Sequence, residues 1–280
     1  LLFFLTMLIY LTGSTGFLGR IFVRQFGHKF DIVPVNHHSL LLDSYPTSQQ
    51  SIFLHLGWAG VLGQYKNDSQ CQLLNVNFAK EICTFLTKYQ VSTFIGLGSQ
   101  AEYKRTNDLI IESSLLDPET HYGEAKVKVS NLIQQYCKES SISFKWLRLF
   151  DVYGPEDNSK WLLPYIITSF LDNTSPRLSN CYQVWDYLYV DDAVDAIAAF
   201  CSHQYITDGA YNLCSGEHIR LRTIVSLVQH FTATMASPSY GDNISILPSI
   251  RGSNQKLLDL NFFLVIGDIM IINLFIYSKK

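Results

Sequence analysis

The sequence predicts an α/β protein: a doubly wound parallel sheet joined to a smaller mixed α/β lobe. Three observations predict it. Short apolar runs alternate with helix-like stretches through the first half of the chain, as in successive βαβ units. A glycine-spaced turn, Gly13-x-x-Gly16-x-x-Gly19, follows the first of those runs and opens the first helix. After Gly154-Pro155 the alternation becomes irregular, which suits a smaller lobe.

Leu8 to Leu11 forms the first strand and Phe17 to Phe26 the first helix. Strands follow at Asp31 to Val35 and Ile52 to Leu56, then a helix from Leu73 to Tyr89 and a strand from Thr93 to Leu97. A further helix spans Tyr122 to Lys138 and a strand Ser143 to Leu149. Beyond them, Trp161 to Leu171 reads as a helix, and Asp186 to Val190 as a strand leading into a helix at Asp192 to Cys201. The organisation expected is a nucleotide-binding domain over 7–155, to which 185–205 returns, a substrate lobe from 156–184 and 206–260, and an atypical apolar tail over 261–280.

The chain has 280 residues, 48% hydrophobic and 16% charged, enough to bury a substantial core. A net charge of −3 offers no basic field to nucleic acid or to an anionic membrane, so neither is expected as a partner. The six cysteines form no Cys-x-x-Cys pair and lie near no histidine at zinc-ligand spacing, so no metal is expected and the thiols read as reduced and cytoplasmic. Met7 reads as a plausible natural start. The apolar stretch Phe262 to Tyr277, broken by Asp268 and Asn273, falls short of the roughly 18–20 clean apolar residues that span a bilayer.

Glycines at 13, 16 and 19 permit a tight turn, close approach of backbone to a pyrophosphate, and close packing of helix on sheet. The helix that follows presents unpaired N–H groups and the positive end of its dipole. This is the Rossmann-like dinucleotide signature, and it nominates Gly13, Thr15, Gly16, Phe17, Leu18 and Gly19 as cofactor-binding residues. Asn36 and His37 stand where the second strand ends. No acidic residue there awaits an NAD ribose, which tilts the choice between NAD and NADP towards NADP.

Tyr122 and Lys126 are four apart and share one face of a helix. An ammonium beside a phenol favours the phenolate. Such a phenol can exchange a proton with a hydroxyl or carbonyl while a nicotinamide exchanges hydride at the same carbon.

Together these motifs resemble the extended short-chain dehydrogenase/reductases, the NAD-dependent epimerase/dehydratases of nucleotide sugars. The resemblance runs in order from residue 8 to about residue 220. It includes Thr12-Gly-Ser-Thr-Gly-Phe-Leu-Gly19, His55-Leu-Gly-Trp58, Asn75 (matched to an asparagine opening the family's fourth helix) and Phe94-Ile-Gly-Leu-Gly-Ser99. Tyr122-Gly-Glu-Ala-Lys126, Arg148-Leu-Phe-Asp-Val-Tyr-Gly-Pro155, Trp185-Asp-Tyr-Leu-Tyr-Val-Asp-Asp192 and Tyr211-Asn-Leu-Cys-Ser-Gly216 continue it. The resemblance implies that Ser99 hydrogen-bonds the reacting sugar oxygen, that Tyr122 is the acid/base, and that Lys126 holds the ribose and tunes Tyr122. Leu56 and Gly57 would border the cofactor. It also implies a homodimer formed through the helices at Leu73–Tyr89 and Tyr122–Lys138.

Sugar 4,6-dehydratases of the family carry an Asp-Glu pair directly after the catalytic Ser or Thr. Gln100 and Ala101 occupy those positions here, which disfavours elimination of water. A 4-ketoreductase or a 4-epimerase of a nucleotide-activated sugar remains, and Ser99-Gln-Ala-Glu-Tyr103 resembles enzymes of O-antigen sugar biosynthesis. Candidate substrate contacts are Ser99, Gln100, Asp151, Arg177, Trp185 and Arg251. Trp185 replaces an arginine common before this Asp-Tyr motif; an indole can stack on a base or sugar but cannot neutralise phosphate. The stretch from Ser39 to Gln50 is short for the family and lacks a clear adenine-side Asp motif unless Asp43 serves. Two alternatives remain: a non-catalytic NAD(P)-binding regulator of the same fold, and an inactive product of a decaying gene.

Overall fold

The computed structural model describes residues 7–36, 40, 44–48, 50–203, 205–241 and 248–261. His37, Asp43 and the tail from 262 onward therefore lie outside the described residues.

A six-stranded sheet forms the centre of the fold. Its members are β1 (Leu8–Thr12), β2 (Asp31–Val35), β3 (Ser51–His55), β4 (Thr93–Ser99), β5 (Ser143–Leu149) and β10 (Gly209–Leu213), in spatial order β10-β5-β4-β3-β1-β2. The pairs β1–β2, β1–β3, β3–β4 and β4–β5 are all parallel. The strand order reverses between β1 and β3, so this is the doubly wound arrangement that leaves a crevice beyond the carboxyl ends of those two strands. Helices α1 (Phe17–Phe26), α2 (Ser69–Lys88) and α3 (His121–Glu139) connect the strands. Strands β1 and β3 are buried along their whole length, as strands covered on both faces must be.

One face of the sheet carries a ladder of rings. Phe53, Phe94 and Phe144 are directly opposite one another on β3, β4 and β5, and their rings stack at 6.1 and 5.9 Å. Trp146, two residues along β5, continues the row at 6.3 Å from Phe144. Aromatic pairs of this kind add ~0.5–1.5 kcal/mol each beyond their burial. The indole of Trp146 needs room, and Gly96 and Gly98 on β4 provide it: a Cβ at either would come within 2.4 Å of the indole. The glycines in Phe94-Ile-Gly-Leu-Gly-Ser99 are thus explained by packing.

Several expected boundaries shift. Helix α2 begins at Ser69, four residues before the expected Leu73, because Asp68 caps it by accepting from the backbone N–H groups of Gln70 and Cys71. Its first turn is polar and gives no apolar period. Asn75 does not open a helix; it lies inside α2, buried, with its side-chain amide bonded to both the N–H and the carbonyl of Ala59. The third strand ends at His55 and the fourth extends to Ser99.

The chain divides into two compact units. The first comprises described residues up to Lys104, Glu112–Leu149 and Val194–Tyr211; the second comprises Arg105–Ile111, Phe150–Ala193 and the described residues from Asn212. The division at 149/150 lies six residues before the boundary expected at 155/156. In the second unit, α4 (Leu162–Leu171) packs against α5 (Leu221–Thr232). Short strand pairs accompany them: β6 (Asp151–Tyr153) with β9 (Tyr187–Tyr189), β8 (Val184–Trp185) with β11 (Ile219–Arg220), and β7 (Arg177–Leu178) with β12 (Ser239–Tyr240). Asp186, expected to start a strand, is instead a buried anchor. Its carboxylate accepts from Ser215 N–H and Oγ and from Gly216 N–H. Among the described residues no helix is long and apolar enough to cross a membrane.

Candidate active site

The turn after β1 is drawn tight by a hydrogen bond from Gly16 N–H to the carbonyl of Gly13 at 3.0 Å. Gly13 has φ +76, a conformation that favours glycine. A Cβ on Gly13 would fall 2.5 Å from the backbone N of Gly57, and one on Gly19 would fall 2.0 Å from the carbonyl O of Gly13. The turn after β1, the turn after β3 and the start of α1 therefore meet backbone to backbone. Gly16 caps α1 with no side-chain hydrogen bond, and Thr15 and Gly16 are exposed while Leu18 and Gly19 are buried. Leu56 N–H donates to the carbonyl of Thr12, and Gly57 N–H to its hydroxyl, which also pairs with His55 Nδ1 at 2.7 Å. Burial pushes His55 down to about 3, with the nearby Lys126 adding to the effect, so the ring is neutral. Asn36 is exposed directly after β2.

Ser99 ends β4 and caps the short 3₁₀ turn Gln100–Glu102, its Oγ accepting from Ala101 N–H at 3.2 Å. Glu102 closes the cap in return by accepting from Ser99 N–H at 2.8 Å. This carboxylate is fully buried and also receives Trp146 Nε1 and, as an ion pair at 2.8 Å, Arg148 Nε. Arg148 donates onward to Tyr103 Oη and to the carbonyl of Glu112. The network fixes the backbone that presents Ser99. Sequence reading missed it, since Glu102 is recognisable as a buried anion only when Trp146 and Arg148 are brought beside it.

Thr120 caps α3 through Gly123 N–H and sets its first turn. A Cβ on Gly123 would lie 2.2 Å from the carbonyl of Ala101, so the start of α3 rests directly on the turn that carries Ser99. Tyr122 is half-buried and Lys126 buried, four residues on along the same face. The Lys126 ammonium donates to the carbonyl of Leu97 at 2.6 Å and lies 5.7 Å from the centre of the Tyr122 ring. Burial lowers Lys126 to about 7, opposed by the charge of Glu102.

The first unit thus brings together the glycine turn, Leu56, Gly57, Ser99, Gln100, Tyr122 and Lys126. Asn36 belongs to the same unit, and the remaining predicted substrate contacts, Asp151, Arg177, Trp185 and Arg251, belong to the second. There Asp151 stands opposite Tyr187 in the β6–β9 register, and the Trp185 ring faces Tyr187 at 6.2 Å. The Nε1 of Trp185 is buried and has no acceptor among the described residues. Arg177 lies exposed on β7, and Arg251 is exposed with its carbonyl accepting from Ile110 N–H.

With this geometry in place, the comparisons with known proteins define the class. The profile of the NAD-dependent epimerase/dehydratase family matches residues 9–214, and the chain belongs to that family. Among curated relatives, the uncharacterized UDP-glucose epimerase YtcB of Bacillus subtilis is 22% identical over 176 residues, covering 62% of this chain and 56% of the relative. The dTDP-D-glucose 4,6-dehydratase of Dictyostelium discoideum is 22% identical over 191 residues, covering 62% and 43%. The matched regions thus span about half the length of these relatives. Among solved structures, RMD of Pseudomonas aeruginosa complexed with NADPH superposes with a TM-score of 0.88 at 18% identity, covering 98% of each chain. The UDP-glucose 4-epimerase of Thermus thermophilus with NAD gives 0.80 at 16% identity, covering 97% of this chain and 98% of its own. These likenesses establish the shared fold.

Proposed function

We propose that the chain is an NAD(P)-dependent oxidoreductase acting at C4 of a nucleotide-activated sugar, as a 4-ketoreductase or a 4-epimerase. The observation that carries the reading is the arrangement of Tyr122 and Lys126 on α3, whose first turn rests on the backbone of the turn carrying Ser99. Neighbours of the same fold were solved with NAD or NADPH, some with UDP-sugars as well, which supports the class of ligand.

The residues present fit a dinucleotide. The Gly13–Gly57 contact leaves bare backbone at the strand-order reversal, and the glycine-capped N-terminus of α1 offers N–H donors to a diphosphate. Gly13, Thr15, Gly16, Phe17, Leu18 and Gly19 would hold it there, with Leu56 and Gly57 beside it and Asn36 and His37 towards the ribose. When bound, the nicotinamide supplies hydride exchange. Ser99 Oγ would donate to the sugar oxygen, Tyr122 would move the proton on that oxygen, and Lys126 would hold the ribose and favour the ionised phenol. Gln100, Asp151, Arg177, Trp185 and Arg251 stay candidates for substrate contact. The choice between cofactors leans to NADP.

Elimination of water fits the site less well. Gln100 and Ala101 supply neither acid nor base, and both oxygens of Glu102 are already bonded. The reading includes a cytoplasmic protein of polysaccharide sugar biosynthesis that dimerises through α2 and α3. Leu73 and Leu74 are exposed on α2, and a groove of ≈ 420 Å³ runs between α2 and α3, lined by Cys83, Leu132 and Tyr136 among others. A light-scattering mass equal to one chain would exclude the dimer.

The decisive experiment incubates the protein with NADPH or NADH and a panel of nucleotide 4-keto sugars. Reduction that disappears in Tyr122→Phe supports the proposal. Cofactor binding without turnover would point to a regulatory protein, and no cofactor binding at all would overturn the proposal. Copurifying NAD favours the epimerase, and exchangeable NADPH the reductase.

A further inference from the structure

Lys126 is 3% exposed, yet no carboxylate is hydrogen-bonded to it among the described residues. Its ammonium meets the Leu97 carbonyl at 2.6 Å and lies 3.6 Å from the centre of the Trp58 ring, with the Tyr122 and Trp146 rings at 5.7 and 5.9 Å. The titratable groups around it are few. Glu102, from the turn after β4, favours the charged form but is already bonded to Arg148 and Trp146. His55, on β3, is neutral. Lys66 lies 5.4 Å from the Tyr122 ring. Burying an ammonium is costly without compensation, and the indole face of Trp58 is the nearest compensating group after the carbonyl.

The indole is held in place. Trp58 Nε1 donates to Gln72 Oε1 at 3.0 Å. Gln72 is 2% exposed and is oriented by its own amide, which donates to the carbonyls of Gly60 and Tyr65 at 3.0 and 2.9 Å. Asn75 Nδ2 donates to the same Gln72 oxygen at 3.2 Å while clasping the Ala59 backbone. Trp58 also meets Tyr122 edge to face, at 6.0 Å and 83°.

We propose that Trp58 is a positioning residue: its clamped indole holds the buried Lys126 ammonium in place and keeps it charged, and through that charge governs proton exchange at Tyr122. The last step rests on the assignment of Tyr122 and Lys126 as the acid/base pair. The first step does not.

The test titrates the full-length, cofactor-free protein by NMR with lysines carbon-13 labelled at Cε, the Lys126 signal being identified by its loss in Lys126→Met. Lys126 is expected to titrate about one pH unit lower in Trp58→Leu than in the wild type, with Trp58→Phe between the two. Gln72→Leu, which keeps the indole but frees it, shifts Lys126 in the same direction. An unchanged Lys126 titration in Trp58→Phe and Gln72→Leu overturns the proposal even where Trp58→Leu does not fold. In turnover, Trp58→Phe should move the kcat limb that needs ionised Tyr122 to higher pH with KM for the sugar within about twofold; mere loosening of the fold would leave that limb in place. If Lys126 shifts and the limb does not, the link to Tyr122 is wrong. If Lys126 shifts and no nucleotide sugar is turned over, the functional assignment fails while the positioning role of Trp58 stands.

Discussion

The indole N–H of Trp146 donates to the carboxylate of Glu102 at 2.9 Å, joining residues 44 apart in sequence inside the core. The same carboxylate pairs with Arg148, itself 6% exposed, so one buried charge balances another. Removing one partner strands the other. Glu102→Gln should therefore cost ~3–5 kcal/mol in urea denaturation. Glu102→Leu combined with Arg148→Met should recover much of that loss, and a double mutant no more stable than Glu102→Gln would contradict the account.

Gly96 and Trp146 stand opposite each other in the β4–β5 register. A Cβ at 96 would lie 2.4 Å from a ring carbon of Trp146. Gly96→Ala should destabilise by ~1–3 kcal/mol in the wild type. It should cost far less in a Trp146→Leu background, a non-additivity that a double-mutant cycle measures. Additive costs would show that the strain lies elsewhere.

His55 is held neutral to about pH 3, against an ordinary value of 6.5. Its folded value is depressed, so the unfolded chain takes up a proton first as the pH falls. Stability present above 6.5 should then drop by roughly 1.4 kcal/mol per pH unit between pH 6 and 4 from this residue alone. His55→Gln should show a correspondingly shallower acid limb in denaturation midpoints across that range.

Asp186 gives the opposite sign. Burial raises its carboxyl to about 6, against the opposing bonds from Ser215 and Gly216. The folded state therefore holds its proton longer than the unfolded chain, and this contribution to stability fades as the pH rises from about 4 to 6. Subtracting the Asp186→Asn curve from the wild-type curve should isolate that fall. A flat difference would mean the carboxylate is fully stabilised by its three donors.

The parts of the fold legible in the sequence are those where local and global signals agree. The apolar run of β1 followed by Gly13, Gly16 and Gly19 announced strand, turn and helix, and α1 has the expected bounds. Helix α3 differs by a single residue at each end, because Tyr122 to Lys138 carries a clear period. The second unit was hard to read because its strands are two or three residues long and have no period to detect. At the site, the glycines, Ser99, Tyr122 and Lys126 stood out by type and spacing. Gln72, Glu102 and Arg148 did not, since each acts through partners that only tertiary folding supplies. Trp58 is legible as part of a motif, but its contact with Lys126 joins the turn after β3 to α3, which only tertiary folding brings together.

The contact between residues 13 and 57 limits what substitution can do on either side of it. A Cβ at Gly13 would lie 2.5 Å from the backbone N of Gly57, whereas one at Gly57 would meet Gly13 N at 3.1 Å and the Thr12 hydroxyl at 3.3 Å, so residue 13 tolerates a side chain less than its partner does. Trp58, the next residue after Gly57, carries its side chain to Gln72 and Lys126. The backbone floor at residue 13 is thus set by what it excludes, and the neighbouring indole by what it holds.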